Sequence, residues 1–165
     1  MPDPATFVPL RGQCLCGAVR YAVGEAPLTV YACHCTDCQR RTGSAFALSM
    51  VVRREAVSLL QGAPSHYEAA LPDGRTKQGR LCVACGTRLW GEPARNPRIA
   101  VVQPGTLDQP CGLAPVAHQW VRSAQAWFVF PPGVARFDTQ PADPSKLREL
   151  WADAMARRCG AAPDG

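Results

Sequence analysis

Seven cysteines in three tight clusters constrain this chain more than any other feature. They are Cys14-Leu15-Cys16, Cys33-His34-Cys35-Thr36-Asp37-Cys38 and Cys82-Val83-Ala84-Cys85-Gly86. On an extended strand, residues i and i+2 face the same side. The pairs Cys14/Cys16 and Cys33/Cys35 can therefore each point two sulfurs at one ion. Gly12 and Gly17 flank the first pair and let the backbone bend. The two residues between Cys82 and Cys85 allow a tight turn, and Gly86 tolerates positive φ just after it. Cys38 reaches the middle pair through a further turn.

Clustered thiols in a reducing compartment read as metal ligands or catalytic groups before they read as disulfides. Seven sulfurs do not make two closed tetrahedra, but four and three do. A structural zinc is closed by four protein ligands; a catalytic zinc commonly has three plus water or substrate. Cys14, Cys16, Cys82 and Cys85 form a natural set of four, one pair from each of two distant segments. Cys33, Cys35 and Cys38 form the set of three. Buried free cysteines or redox pairs are the competing reading. Cys111 and Cys159 stand alone, and such cysteines are usually small buried apolar residues. His34 lies between two ligands, so on a strand it faces away from the metal in a structural or supporting role. His66, in an alternating run, reads as surface. Asp37 reads as a support to the site or as a turn former.

The rest of the composition excludes more than it identifies. The chain has 165 residues, 47% apolar and 19% charged, enough for a soluble globular core. One domain over 1–165 is expected, with its core at about 10–138 and a helix at about 143–159. The formal charge of +5 invites a nucleic-acid reading, but 16 of the 18 basic residues are scattered arginines with no aromatic stripe among them. No nucleic acid is expected as partner. No apolar run approaches a membrane span, and the start, MPDPATFVPL, lacks a basic segment and a long apolar stretch. The expected location is cytoplasmic, with no membrane partner.

Periodicity reads as mainly β. Residues 18–23 place Val19, Tyr21 and Val23 on one strand face, and 45–52 place Phe46, Leu48 and Met50 on another. Residues 65–70 and 75–81 flank Leu71-Pro72-Asp73-Gly74, a hairpin turn. Residues 98–103 and 125–130 are further strand candidates. One helix is expected near the end, with Asp143 as N-cap, Pro144 as first residue, and an apolar stripe of Leu147, Leu150, Trp151 and Met155.

Several stretches resemble the glutathione-dependent formaldehyde-activating enzyme family, which shares its domain with centromere protein V. The matching residues run from Gly12-Gln-Cys14-Leu-Cys16-Gly17 through Cys33-His34-Cys35-Thr-Asp-Cys38-Gln-Arg40-Arg41-Thr42-Gly43-Ser44-Ala-Phe46. They continue through Leu81-Cys82-Val-Ala-Cys85-Gly86, Gly105-Thr-Leu107-Asp108, and His118-Gln-Trp120 to Ser123 and Trp127. The resemblance implies a β-tent, small curled antiparallel sheets pinned by zinc, with two Zn²⁺ per chain. It implies structural zinc on Cys14, Cys16, Cys82 and Cys85 and an open zinc on Cys33, Cys35 and Cys38. The implied activity is carbon–sulfur lyase chemistry, joining and parting a small thiol such as glutathione and an aldehyde such as formaldehyde.

That chemistry suits an open site. A metal-bound thiol is deprotonated, and the thiolate is the nucleophile. Ser44 and Thr42 are candidates to hydrogen-bond an alkoxide, with ordinary helix capping as the competing role. Phe46 and Trp127 are candidate pocket walls, and Arg40 and Arg41 candidate contacts for substrate carboxylates. The alternative function is a non-catalytic zinc-binding module for a protein or peptide partner.

Overall fold

The structure is a computed structural model that describes residues 9–109 and 113–160, with side chains of 158–160 left aside. The strands are β1 Leu10–Gln13, β2 Arg20–Val23, β3 Thr29–Cys33, β4 Ala47–Arg53, β5 Val57–Gln61, β6 Ser65–Ala70, β7 Thr76–Leu81, β8 Arg88–Gly91, β9 Ile99–Val102, β10 Ala117–Gln119 and β11 Ala135–Phe137. The α-helices are α1 Thr36–Thr42 and α2 Ser145–Gly160. The protein is thus mainly β with a C-terminal helix. It divides into two compact units, whose described residues are 28–49 with 113–160, and 9–27 with 50–109.

The unit of residues 9–27 and 50–109 is antiparallel. One sheet has the order β1-β2-β5, and a second run pairs the end of β4 with β9, β8, β7 and β6 in turn. The Leu71–Gly74 hairpin forms as the sequence predicts. Leu71 N–H donates to Arg75 O at 2.8 Å and Gly74, at φ 80, closes the turn. Val19, Tyr21 and Val23 are buried on one face. Tyr21 meets Trp90 edge-on at 5.6 Å, and its hydroxyl lies 2.6 Å from Thr106 Oγ1. Gly12 is required here for closeness, not flexibility: a Cβ there would sit 2.6 Å from the Tyr21 ring and 2.7 Å from Thr106 O.

The unit of residues 28–49 and 113–160 orders its strands β11-β10-β3-β4. Wholly antiparallel sheets were the expectation; here β10 runs parallel to both β3 and β11. Parallel neighbours need long crossovers rather than hairpins, and long segments do separate these strands. One of them overturns the strand expected at 125–130. Its alternation is real, with Trp127 70% and Val129 85% exposed. However, it serves side-chain burial only: Phe128 N–H closes a turn on Gln125 O at 2.9 Å, and no strand pairs with it. The expected single apolar face of β4 also fails, since Ala47, Ser49, Met50, Val51 and Val52 are all buried. That is the pattern of a strand covered on both faces.

Helix α2 begins as predicted. Asp143 Oδ1 accepts from Ser145 N–H at 2.8 Å, the N-cap geometry with Pro144 at the first position. Leu147 and Trp151 are buried, each contributing about 1.5–3 kcal/mol by transfer from water. Thr29 Oγ1 of β3 donates to Leu147 O at 2.8 Å.

Candidate metal centres

The structure brings the seven clustered sulfurs together in two groups, within each of which the sulfurs lie within 4.8 Å of one another. None is disulfide-bonded.

Cys14, Cys16, Cys82 and Cys85 meet in the unit of residues 9–27 and 50–109, where two similar turns face each other. In the first, Gly17 N–H donates to Cys14 O at 3.0 Å, and Gly17 takes φ 74. In the second, Gly86 N–H donates to Cys82 O at 2.8 Å, and Gly86 takes φ 71. Leu15 N–H reaches across to Thr87 Oγ1 at 3.1 Å. Cys14 Sγ and Cys16 Sγ are 3.5 Å apart, and Cys16 Sγ and Cys82 Sγ 3.8 Å. A tetrahedral thiolate site with metal–sulfur bonds of about 2.3 Å has sulfur–sulfur edges of roughly 3.8 Å, so the donor set fits a metal ion. The ionisation of the thiols is uneven. A hydrogen bond from the Thr87 hydroxyl, first among several, draws Cys85 down to about 5. Burial pushes Cys14 up, but Val19 N–H, 3.3 Å from its sulfur, and the Cys16 and Cys82 thiols outweigh it and leave Cys14 below its ordinary value. Cys16, crowded by Cys14 and Cys85 against the opposing pull of Ala18 N–H, rises to about 11. A divalent cation bound there would supply the charge that makes all four thiolates.

Cys33, Cys35 and Cys38 meet in the other unit and are local in sequence. Cys33 ends β3. Cys35 is the N-cap of α1, extended at φ −63 and ψ 151, and its sulfur accepts from Cys38 N–H at 3.4 Å. Cys38 is buried in the first turn. Ala47 packs with Cys33 and Cys38, and Tyr31 and Trp120 lie against them. The Cys35 and Cys38 thiols, first of all, push Cys33 far above its ordinary value. Three such sulfurs suit a cation and leave one tetrahedral position for another donor. Cys33 pulls Cys38 down, but the Cys35 thiol and burial outweigh it and leave Cys38 above its ordinary value, with Arg41, half-buried at the end of α1, opposing them only weakly; Arg40 and Ser44 are exposed. Thr42 Oγ1 donates to Cys38 O at 2.8 Å, an ordinary helix role.

His34 turns away from the sulfurs, as strand alternation requires. It is fully buried, with Nε2 2.9 Å from His118 Nδ1, among the rings of Phe46, Phe128 and Phe130. His34 Nδ1 and His118 Nε2 have no hydrogen-bond partner. Phe46 belongs to this aromatic box, whereas Trp127 is mostly exposed. Sequence reasoning placed His118 and Trp120 among the residues of the family resemblance but gave neither a role. His66 is exposed, and Asp37 lies in the first turn of α1. Cys111 falls outside the described residues, and Cys159 lies where α2 side chains are not described.

Burial, then the charges of His34 and Arg136, hold His118 down to about 4. Folded His118 is neutral, while the unfolded residue protonates near pH 6.5. Its contribution is therefore complete above pH 6.5 and lost as pH falls toward 4, up to about 3 kcal/mol. Denaturant unfolding at pH 7.5 and pH 5 is expected to show a steeper acid loss for wild type than for His118→Gln. Equal losses would mean that His118 does not titrate differently on folding.

The family model for glutathione-dependent formaldehyde-activating enzyme matches residues 9–123, which include both sulfur groups, and the chain belongs to this family. A Halomonas elongata protein, provisionally named a glutathione-dependent formaldehyde-activating enzyme, is 31% identical over 96 residues. The match covers 54% of this chain and 60% of that relative's length. A crystal structure of a Rhodobacter sphaeroides protein is similar at a TM-score of 0.49 and 22% identity, covering 77% of this chain and 98% of that one. No helix among the described residues is long and apolar enough to cross a membrane.

Proposed function

We propose that this chain is a zinc-dependent carbon–sulfur lyase-type enzyme, acting in the cytoplasm on adducts of a small thiol, glutathione first, with an aldehyde such as formaldehyde. The observation that carries the reading is the unequal pair of thiol groups, four and three, in a chain of this family. Cys14, Cys16, Cys82 and Cys85 hold a structural zinc and pin a β-tent as a single folded domain. Cys33, Cys35 and Cys38 hold a second zinc by three thiolates.

Zinc at the second group supplies a position where a thiol ionises near neutral pH. In the forward direction a sulfur–carbon bond forms as the thiolate adds to the aldehyde carbon. The carbonyl π pair moves to oxygen, and the proton released by the thiol ends on that oxygen. The reverse step breaks the same bond, and no oxidant or reductant is needed. The protein's own part is to hold three thiolates at one point and to receive the substrate beside them. Arg40 and Arg41, at the end of α1, are the candidates to meet substrate charge, with Ser44, Phe46 and Trp127 as further candidate contacts.

The test is exchange between free formaldehyde and its glutathione adduct, followed by NMR magnetisation transfer. The zinc-loaded protein is expected to exceed the spontaneous rate at least tenfold, and Cys35→Ser to return it to background. A spontaneous rate in the presence of protein carrying two zinc ions would move the assignment to a non-catalytic zinc-binding module.

A further inference from the structure

Trp120 is the one described residue other than glycine with a positive φ, at φ 57 and ψ 40. A bulky side chain in this region is strained and persists only where its surroundings hold it. They do so here through residues on both sides. Trp120 N–H donates to Thr139 O at 3.1 Å, and its carbonyl accepts from Ser123 N–H at 3.1 Å. The Ser123 hydroxyl lies 3.1 Å from the carbonyls of both Trp120 and His34. Gln39 Nε2 donates to His34 O and to Ser123 O, each at 2.7 Å, and Gln125 Nε2 in turn donates to Gln39 Oε1 at 2.5 Å. Residues 120–125 are therefore tied to the segment that carries Cys33, Cys35 and Cys38.

The strained turn ends β10 and lays the Trp120 indole against the group of Cys33, Cys38 and Ala47. On that indole rests the Arg122 guanidinium, 4.9 Å from the ring centroid. A guanidinium stacked on an aromatic keeps its orientation and leaves its N–H edge able to grip a carboxylate in two-pronged fashion. Among the described residues no carboxylate pairs with Arg122, and its side chain is exposed. The Trp120 indole thus touches the sulfur group and carries the Arg122 guanidinium. Charge points the same way. Three thiolates on a divalent ion carry −1, and a fourth from the substrate makes −2. A substrate that adds carboxylates needs cations beyond the sulfurs, and Arg122 is a positioned one.

We propose that Arg122, held on Trp120, reads a carboxylate of the thiol substrate, so that the site selects thiols with free carboxylates over the same thiols esterified. The inference rests on the reading that a thiol enters at the metal of Cys33, Cys35 and Cys38. Its test compares glutathione with glutathione diethyl ester, which keeps the thiol and lacks both carboxylates. Binding to the zinc-loaded full chain is measured by isothermal titration calorimetry. Wild type is expected to bind glutathione about tenfold or more tightly than the ester. Arg122→Gln is expected to remove most of that preference by weakening glutathione alone, and Arg122→Lys to restore part of it. As Arg122 is exposed, its variants are expected to keep wild-type zinc content and circular dichroism. If neither thiol binds wild type, the proposed function itself fails. If both bind and Arg122→Gln keeps the preference, or weakens both equally, or only Arg41→Gln abolishes it, this inference is overturned while that reading stands.

Discussion

Cys14→Ser is expected to remove one equivalent of metal and, with it, cooperative unfolding of the unit that holds the four-sulfur group. Cys14 is 1% exposed, and its sulfur is fixed by Val19 N–H at 3.3 Å. The group joins Cys14 and Cys16 to Cys82 and Cys85 across 66 residues of sequence, as the Cys16–Cys82 contact shows. A closed zinc site of this kind contributes roughly 10–16 kcal/mol in small zinc domains. Whole domains are stable by only about 5–15 kcal/mol. Losing one of four ligands therefore removes a share comparable to the entire stability. Cys85→Ser is expected to behave the same way, and a strong chelator to broaden or abolish the wild-type transition. Metal content by mass spectrometry and thermal melting by circular dichroism check this. A cooperative, unshifted melt for the metal-free chain would contradict it.

Cys35→Ser is expected to do the reverse: keep the fold and lose the activity. Cys35 caps α1, and serine is among the best N-caps, so the bond to Cys38 N–H survives the change. What disappears is a thiolate from a group that has only three. The expected result is a stable protein carrying one metal in place of two, with thiol–aldehyde exchange at the uncatalysed rate. Thermal melting should shift by no more than a few degrees, which separates this variant from Cys14→Ser. Retention of two metals and full exchange activity by Cys35→Ser would show that the three-sulfur group is not the reacting site.

What the sequence revealed was local. The i, i+3 spacing of Cys82 and Cys85, the extended Cys35 after Cys33, the Leu71–Gly74 turn and the Asp143 cap each depend on a few adjacent residues and have the local geometry those residues require, whereas Cys14 and Cys16, expected to share a strand face, converge in a turn after β1 that Gly17 closes. What stayed hidden depends on distant partners. The 125–130 segment alternates like a strand, yet its half-buried rings, Phe128 and Phe130, face His34 and His118 and its backbone pairs with no described strand. The parallel placement of β10 between β3 and β11 has no signature in three residues, Ala117–Gln119. His118 matters because it meets His34, 84 positions away. Trp120 matters because Ser123 and Thr139 hold it in a conformation its own side chain disfavours. Phe46 and Trp127, the candidate pocket walls, lie in the aromatic box and mostly exposed, respectively. The indole against the sulfurs is that of Trp120.

The central claim is that the two sulfur groups differ, one closed and one open to a thiol. Replacing zinc with cobalt makes the difference visible, because each added sulfur ligand changes the thiolate-to-cobalt absorption. The full chain loaded with two cobalt ions is expected to change its spectrum on addition of glutathione, with the intensity belonging to one of the two ions. Cys35→Ser is expected to lose that change while the other ion keeps its four-sulfur spectrum. A spectrum that saturating glutathione leaves untouched, with two cobalt ions bound, would contradict the account.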